Sequence, residues 1–250
     1  IRVAFNDLKA VNMGATAVGT GMNADEKYKK LIVPVLSEIS GITLTAAKDL
    51  VDGTRNCDTL AFASGALKVL AVNLSKMCND LRLMASGPKA GLAEIKLPDR
   101  QPGSSIMPGK VNPTQCEALT MVTCRVHGNQ AVISMAASQG RFELNVYAPV
   151  MADAFIESAT LLGQAIHSFN IHCAEGMKPI EERMAELVEH SLMLVTALSP
   201  HIGYEKAAAI SKKAFADGSC LRAAAQALGY VSEEDYDKYV QPAAMTNVDR

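Results

Sequence analysis

The sequence predicts an all-α protein, a bundle of long helices over residues 1–199 followed by a small helical domain over 200–250. Three observations point there. Apolar residues recur three and four apart along most of the chain, the spacing that gathers them on one helical face. Clusters of Gly and Pro, which break helices, fall at only a few places. After Pro200 the rhythm shortens to brief helical segments.

In chain order, the first helix is expected over 24–40, where Tyr28, Leu31, Ile32, Val35, Leu36 and Ile39 share a face and Gly41 ends it. Residues 59–86 contain one interior glycine, Gly65, and no proline. Leu60, Ala63, Leu67, Leu70, Leu74, Met77, Leu81 and Met84 form a seam of about seven turns. Ser86-Gly87-Pro88 stops it. Beyond a Pro-, Gly- and Ser-rich loop at 97–113, a second seam carries Leu119, Val122, Val126, Asn129, Ile133 and Ala136, with Asn129 its one amide. A third runs from Pro149 towards Glu175 through Phe155, Leu162 and Phe169. The fourth is expected through Ile180, Met184, Leu187, Ser191, Leu194 and Leu198. Such long seams pack as near-parallel or antiparallel helices. They bury poorly within one chain, so association with further copies is expected. The short helices follow at 205–216, 219–228 and 232–240, with Ser232 and Asp235 in the positions of an N-terminal cap.

Composition narrows the function. The 250 residues are 49% apolar, 20% charged and 5% aromatic, enough to build a core rather than a disordered chain. Basic and acidic residues number 24 and 26 and nearly cancel, so no polyanionic partner such as nucleic acid is implied. No run of 18 consecutive apolar residues suggests a membrane span, and residues 1–20 lack the apolar core of a signal peptide. The six cysteines, Cys57, Cys78, Cys116, Cys124, Cys173 and Cys220, form no CxxC pair. They read as small buried hydrophobes in a reducing compartment, the cytoplasm or an organelle matrix, with no metal site and no cofactor expected.

The stretch richest in chemistry is Gly103-Ser104-Ser105-Ile106-Met107-Pro108-Gly109-Lys110-Val111-Asn112-Pro113. It joins two long helices, and a loop on a rigid scaffold commonly carries function. Its small hydroxyls can approach a ligand closely, while glycine and proline set the backbone. The plain alternative is a polar connector with its lysine in water. Against that stands the crowding of two serines, a lysine and an asparagine between glycines and prolines.

This loop resembles the signature of the aspartase/fumarase superfamily, G-S-S-x-M-P-x-K-x-N-P, at every fixed position. Residues 14–21 (Gly-Ala-Thr-Ala-Val-Gly-Thr-Gly), Asn79-Asp80-Leu81-Arg82 and Leu144-Asn145-Val146 extend the resemblance from Val11 onward. It implies anti elimination across the C2–C3 bond of a four-carbon dicarboxylate to give fumarate. Removing a proton beside a carboxylate builds a doubly charged enediolate, which needs a strong base and concentrated donors and positive charge. By the resemblance, Ser104 is that base, as an alkoxide held by loop N–H groups, and Ser105 donates to the adjoining carboxylate. Lys110 and Asn112 would hold the other carboxylate, with Val111 between them in the substrate-binding set. Glu117 would pair with a histidine from an Arg-Thr-His-Leu-Gln motif, which does not occur around His127, His167, His172, His190 or His201. His201 is expected to anchor the start of the small domain. The resemblance further implies a homotetramer whose sites combine three subunits, with this chain expected to be the C-terminal half of a longer polypeptide. Residues 14–21 would form a structural loop near the site, Asn79, Asp80 and Arg82 would brace helices, and Glu181-Glu182-Arg183 reads as a solvated face.

The leaving group divides the chain. Asn12-Met13-Gly14-Ala15-Thr16, Asp49-Leu50-Val51-Asp52 and the run from Ser75 to Leu83 look like aspartase, whereas Thr114-Gln115-Cys116-Glu117-Ala118, Phe142-Glu143-Leu144-Asn145-Val146 and the run from Ser191 to Leu198 look like fumarase. The closer match of the first half puts ammonia elimination from L-aspartate first. Fumarate hydration to L-malate is the alternative, and a catalytically incomplete helical scaffold is the third reading.

Overall fold

Apolar periodicity and the placement of breakers shape nearly all of the computed structural model, which describes residues 1–100, 102, 103 and 105–246. Among the described residues the protein is all-α apart from two two-residue strand pairs. It divides into two compact units, residues 1–86 with 97–177, and residues 87–96 with 178 onward.

The first unit opens with α1 (Arg2–Asp7), β1 (Ala10–Val11), α2 (Glu26–Ser40), β2 (Thr45–Ala46) and α3 (Leu50–Arg55). β1 and β2 pair in parallel, Ala10 with Thr45 and Val11 with Ala46. The expected boundaries of α2 arise from its caps. The Asp25 carboxylate accepts from the N–H groups of Lys27 and Tyr28, and Gly41 closes the other end in the left-handed conformation. Its apolar face differs from expectation, because only Val33 is buried while Tyr28, Leu31, Val35 and Ile39 stay exposed.

Three long helices follow, α4 (Asp58–Met84), α5 (Thr114–Ala137) and α6 (Ala148–His172), and α5 packs along both of the others. Ile133, Ala136, Met151 and Ala154 form one core layer, with Leu60 and Phe155 against it. Ala71, Val126 and Leu162 form another, flanked by Leu67, Leu70, Leu74, Val122 and Ile166. The α5 and α6 seams thus pack as spaced; on α4 Ala63 and Leu81 of the expected seam are buried, Ser64, Ala71 and Cys78 beside it are buried too, and Met77 is exposed. Asn129 sits buried in the α5 seam, its amide donating to Glu157 Oε2 at 2.7 Å and to Ser158 Oγ at 3.1 Å. Glu157 also receives Arg125 Nε at 2.9 Å. By length and composition α4 is apolar enough to cross a membrane, and here it is a bundle helix against α5.

The second unit begins well before residue 200. β3 (Ile95–Lys96) pairs antiparallel with β4 (Lys178–Pro179), and Arg183 Nε donates to the Leu92 carbonyl at 2.9 Å. That contact corrects the solvated-face reading of Arg183, which also bonds Glu186. The fourth long helix is not continuous either. α7 (Glu181–Glu189) ends, Ser191 is extended, and a 3₁₀ segment Leu192–Ala197 leads into α8 (Ser199–Ile202). Spacing of three or four suits both helix types, so the apolar pattern ran across the break. α9 (Tyr204–Asp217), α10 (Leu221–Leu228) and α11 (Glu233–Tyr239) complete the unit around Leu198, Ile210, Leu221, Val231 and Tyr236. Ser232 Oγ accepts from the Asp235 N–H at 3.1 Å, the expected cap. His201 stacks on Tyr239 with ring centroids 3.6 Å apart, tying α8 to α11.

Candidate active site

The loop between α4 and α5 is drawn together at its base. Pro102 and Val111 form an isolated antiparallel bridge, and Gly103 N–H donates to the Lys110 carbonyl at 2.6 Å. A side chain at 103 would put its Cβ 2.9 Å from Asn112 Oδ1 and 3.0 Å from Lys110 Cγ, so any larger residue pushes these groups aside. Asn112 Nδ2 in turn reaches the Gly103 carbonyl at 3.4 Å. Gly109 makes the return turn at φ +83°, and Lys110 N–H donates to the Met107 carbonyl at 3.2 Å.

The base therefore gathers Gly103, Lys110, Val111 and Asn112, while Ser105, Ile106 and Met107 lie at an exposed tip, Ile106 at 87%. Ser104, the expected base, lies outside the described residues. Lys110 is exposed and Asn112 half-buried. An ammonium, a hydroxyl and an amide donor on one constrained loop can bind carboxylates, the lysine as a point charge and the asparagine directionally.

Glu117 stands in the first turn of α5, where a helix N-terminus favours negative charge. Its Oε1 lies 3.8 Å from Arg82 Nη2 near the end of α4. Arg82 thus braces two helices, as expected, through a residue of the candidate site itself. The histidines are engaged elsewhere or exposed. His127 Nδ1 contacts the Thr123 carbonyl at 3.1 Å and His190 Nδ1 the Glu186 carbonyl at 2.9 Å, while His167 and His172 are exposed.

Two supports were not legible in the sequence. Arg100 donates from Nε to the His172 carbonyl at 3.0 Å and from Nη2 to the Ile171 carbonyl at 3.3 Å, fastening the loop's start to the carbonyl end of α6. The buried Asn145 likewise donates to the Ala136 and Ala137 carbonyls at the end of α5. Their partners are remote in sequence or are backbone atoms, neither of which spacing reveals. Residues 14–21 fold as a structural loop. A Cβ at Gly19 would lie 2.3 Å from Val51 Cα, and Gly21 N–H donates to the Ala15 carbonyl at 2.8 Å. Among the described residues no group of three His, Cys, Asp or Glu side chains is arranged to hold a metal.

A helical bundle presenting this loop between two long helices defines a class, and comparison with known proteins agrees. Residues 2–128 match the family model described as Lyase, and residues 194–247 match that of the Fumarase C C-terminus. The chain belongs to this lyase family, the aspartase/fumarase superfamily. It is 52% identical over 245 residues to fumarate hydratase class II 1 of Pseudomonas aeruginosa, covering 98% of this chain and 53% of that protein. The solved class II fumarase of Schistosoma mansoni superposes with a TM-score of 0.91 at 35% identity, over 98% of this chain and 56% of that one. The solved fumarate lyase:delta crystallin of Brucella melitensis superposes with a TM-score of 0.92 at 39% identity, over 98% of this chain and 53% of that one. The chain spans about half the length of the curated relatives it matches.

Proposed function

We propose that the chain carries the base loop and core helices of a fumarate hydratase, which interconverts L-malate and fumarate by anti elimination of water. The observation that carries this reading is the similarity to proteins named fumarate hydratase class II, such as that at 52% identity over 98% of the chain. It favours this activity over ammonia elimination from L-aspartate, which rested on local matches in the first half. Those matches fall in a loop packed on α3, in α3 itself and along α4. Short local matches of this kind are poor reporters of the leaving group.

In this mechanism Ser104 removes the C3 proton as an alkoxide stabilised by loop N–H groups, a charge a free serine cannot carry. Ser105 donates to the carboxylate on which charge develops, and Lys110, Val111 and Asn112 seat the other carboxylate. Stabilising charge only as it develops is what lowers the barrier. Glu117 meets a histidine supplied from outside the described residues. The loop tip stands open, so further walls come from other segments or copies. A homotetramer is supported by apolar side chains left exposed on the long helices, among them Phe62, Val69, Val72, Met121, Met135 and Ile156.

The test is to offer the full-length protein L-malate or L-aspartate and follow fumarate by its ultraviolet absorbance. Fumarate from L-malate alone, lost in Ser104→Ala, is expected. Fumarate from L-aspartate would overturn the reading, and turnover of neither would favour the incomplete scaffold.

A further inference from the structure

Three cysteines that the sequence scatters come together beneath the candidate site. Cys78 belongs to α4, Cys116 to the first turn of α5 and Cys173 to the C-terminal cap of α6, and all three are buried. Independent contacts join the same three helix ends. Arg82, one turn after Cys78, lies 3.8 Å from Glu117, the neighbour of Cys116. Ser168 Oγ, on the last turns of α6, donates to Gln115 Oε1, the other neighbour of Cys116, at 3.0 Å. All six cysteines are free thiols.

Cys116 interacts with both of the other thiols. The interaction with Cys116, helped by the charge of Arg82, holds the Cys78 thiol below its ordinary value against the effect of burial. The Cys116 thiol is raised by its interaction with Cys78 and by burial, and burial first pushes Cys173 up to about 12. Cys78 is thus the thiol that ionises first, and the thiolate is the form that reacts.

From this cluster we infer that Cys78 and Cys116 form a peroxide-responsive thiol pair, closing to a disulfide that clamps α4 to the first turn of α5 under Glu117. The Cys78 thiolate attacks one oxygen of hydrogen peroxide; an S–O bond forms, the O–O bond breaks, and hydroxide leaves to become water. Cys116 then attacks the Cys78 sulfur. An S–S bond forms, the S–O bond breaks, and the departing hydroxide takes the Cys116 proton as a second water. Two thiols are oxidised by two electrons and one peroxide is reduced to two waters. The first turn of α5 directly follows the exposed loop, so local opening of that turn gives a small oxidant its path.

The test is peptide mapping of the full-length protein after hydrogen peroxide, with free thiols trapped by alkylation under denaturing conditions. A Cys78–Cys116 crosslinked peptide is expected, about 2 Da lighter than its two reduced parts. It should revert with dithiothreitol, persist in Cys124→Ser, which removes the exposed thiol, and persist in Cys173→Ala. It should be lost in Cys116→Ala. Because that variant could also unfold, the map of the unsubstituted protein decides by itself. A map in which oxidation stops at Cys124, or in which Cys116 links only to Cys173, overturns the assignment, as does the absence of any link.

Discussion

At Gly103 the backbone approaches Asn112 and Lys110 so closely that a single methyl group would displace both. Gly103→Ala is therefore expected to lower kcat/KM for malate by about 100-fold, the scale of a 1 Å misplacement of binding groups. Steady-state kinetics check this, and the fold should survive because the loop lies outside the packed layers. Asn129 is the contrasting case, a structural amide. Asn129→Ala removes its bonds to Glu157 and Ser158 and should cost about 1–3 kcal/mol in urea denaturation. The Asn129 bond, and then Arg125, hold the Glu157 carboxyl below its ordinary value of 4.5. A carboxylate with a depressed value stabilises the fold above its unfolded range and loses that effect as pH falls through the folded value. The deficit of Asn129→Ala should thus be full near neutrality and narrow on acidification below 4.5. Both residues were visible in the sequence, Gly103 within its motif and Asn129 as the amide in a seam. The thiol cluster was not, since each cysteine lies on a different helix and only packing joins them.

At the scale of elements, the long helices follow from apolar spacing and from the breakers that end them. α5 makes this plain, because Leu119, Val126, Ile133 and Ala136 are both its predicted seam and its buried line. Ile133→Ala should destabilise the fold by about 2–5 kcal/mol, read from the denaturation midpoint. Asn145→Ala leaves the Ala136 and Ala137 carbonyls without their donor and should cost about 1–3 kcal/mol by the same measurement. Periodicity failed where the backbone changed type without changing spacing, from α7 across extended Ser191 into a 3₁₀ segment. It also failed to say what covers a face, as the exposed apolar side of α2 illustrates.

For the whole molecule, the exposed apolar residues on α4, α5 and α6 agree with an assembly of several copies. Phe62, on α4, is 52% exposed, and a charge there should disrupt such packing. Phe62→Glu is expected to reduce the mass seen by light scattering from that of the proposed tetramer to smaller species. The domain boundary was legible only in part, since the strand pairing of Ile95–Lys96 with Lys178–Pro179 draws two remote segments into the second unit. The leaving group was the least legible feature, because local matches in the two halves of the chain point to different activities. Fumarate formation by the full-length protein from L-malate and L-aspartate, each with and without Ser104→Ala, measures that feature directly. Turnover of malate alone, abolished by the substitution, is the expected result; fumarate from aspartate, or malate turnover undiminished in Ser104→Ala, would contradict it.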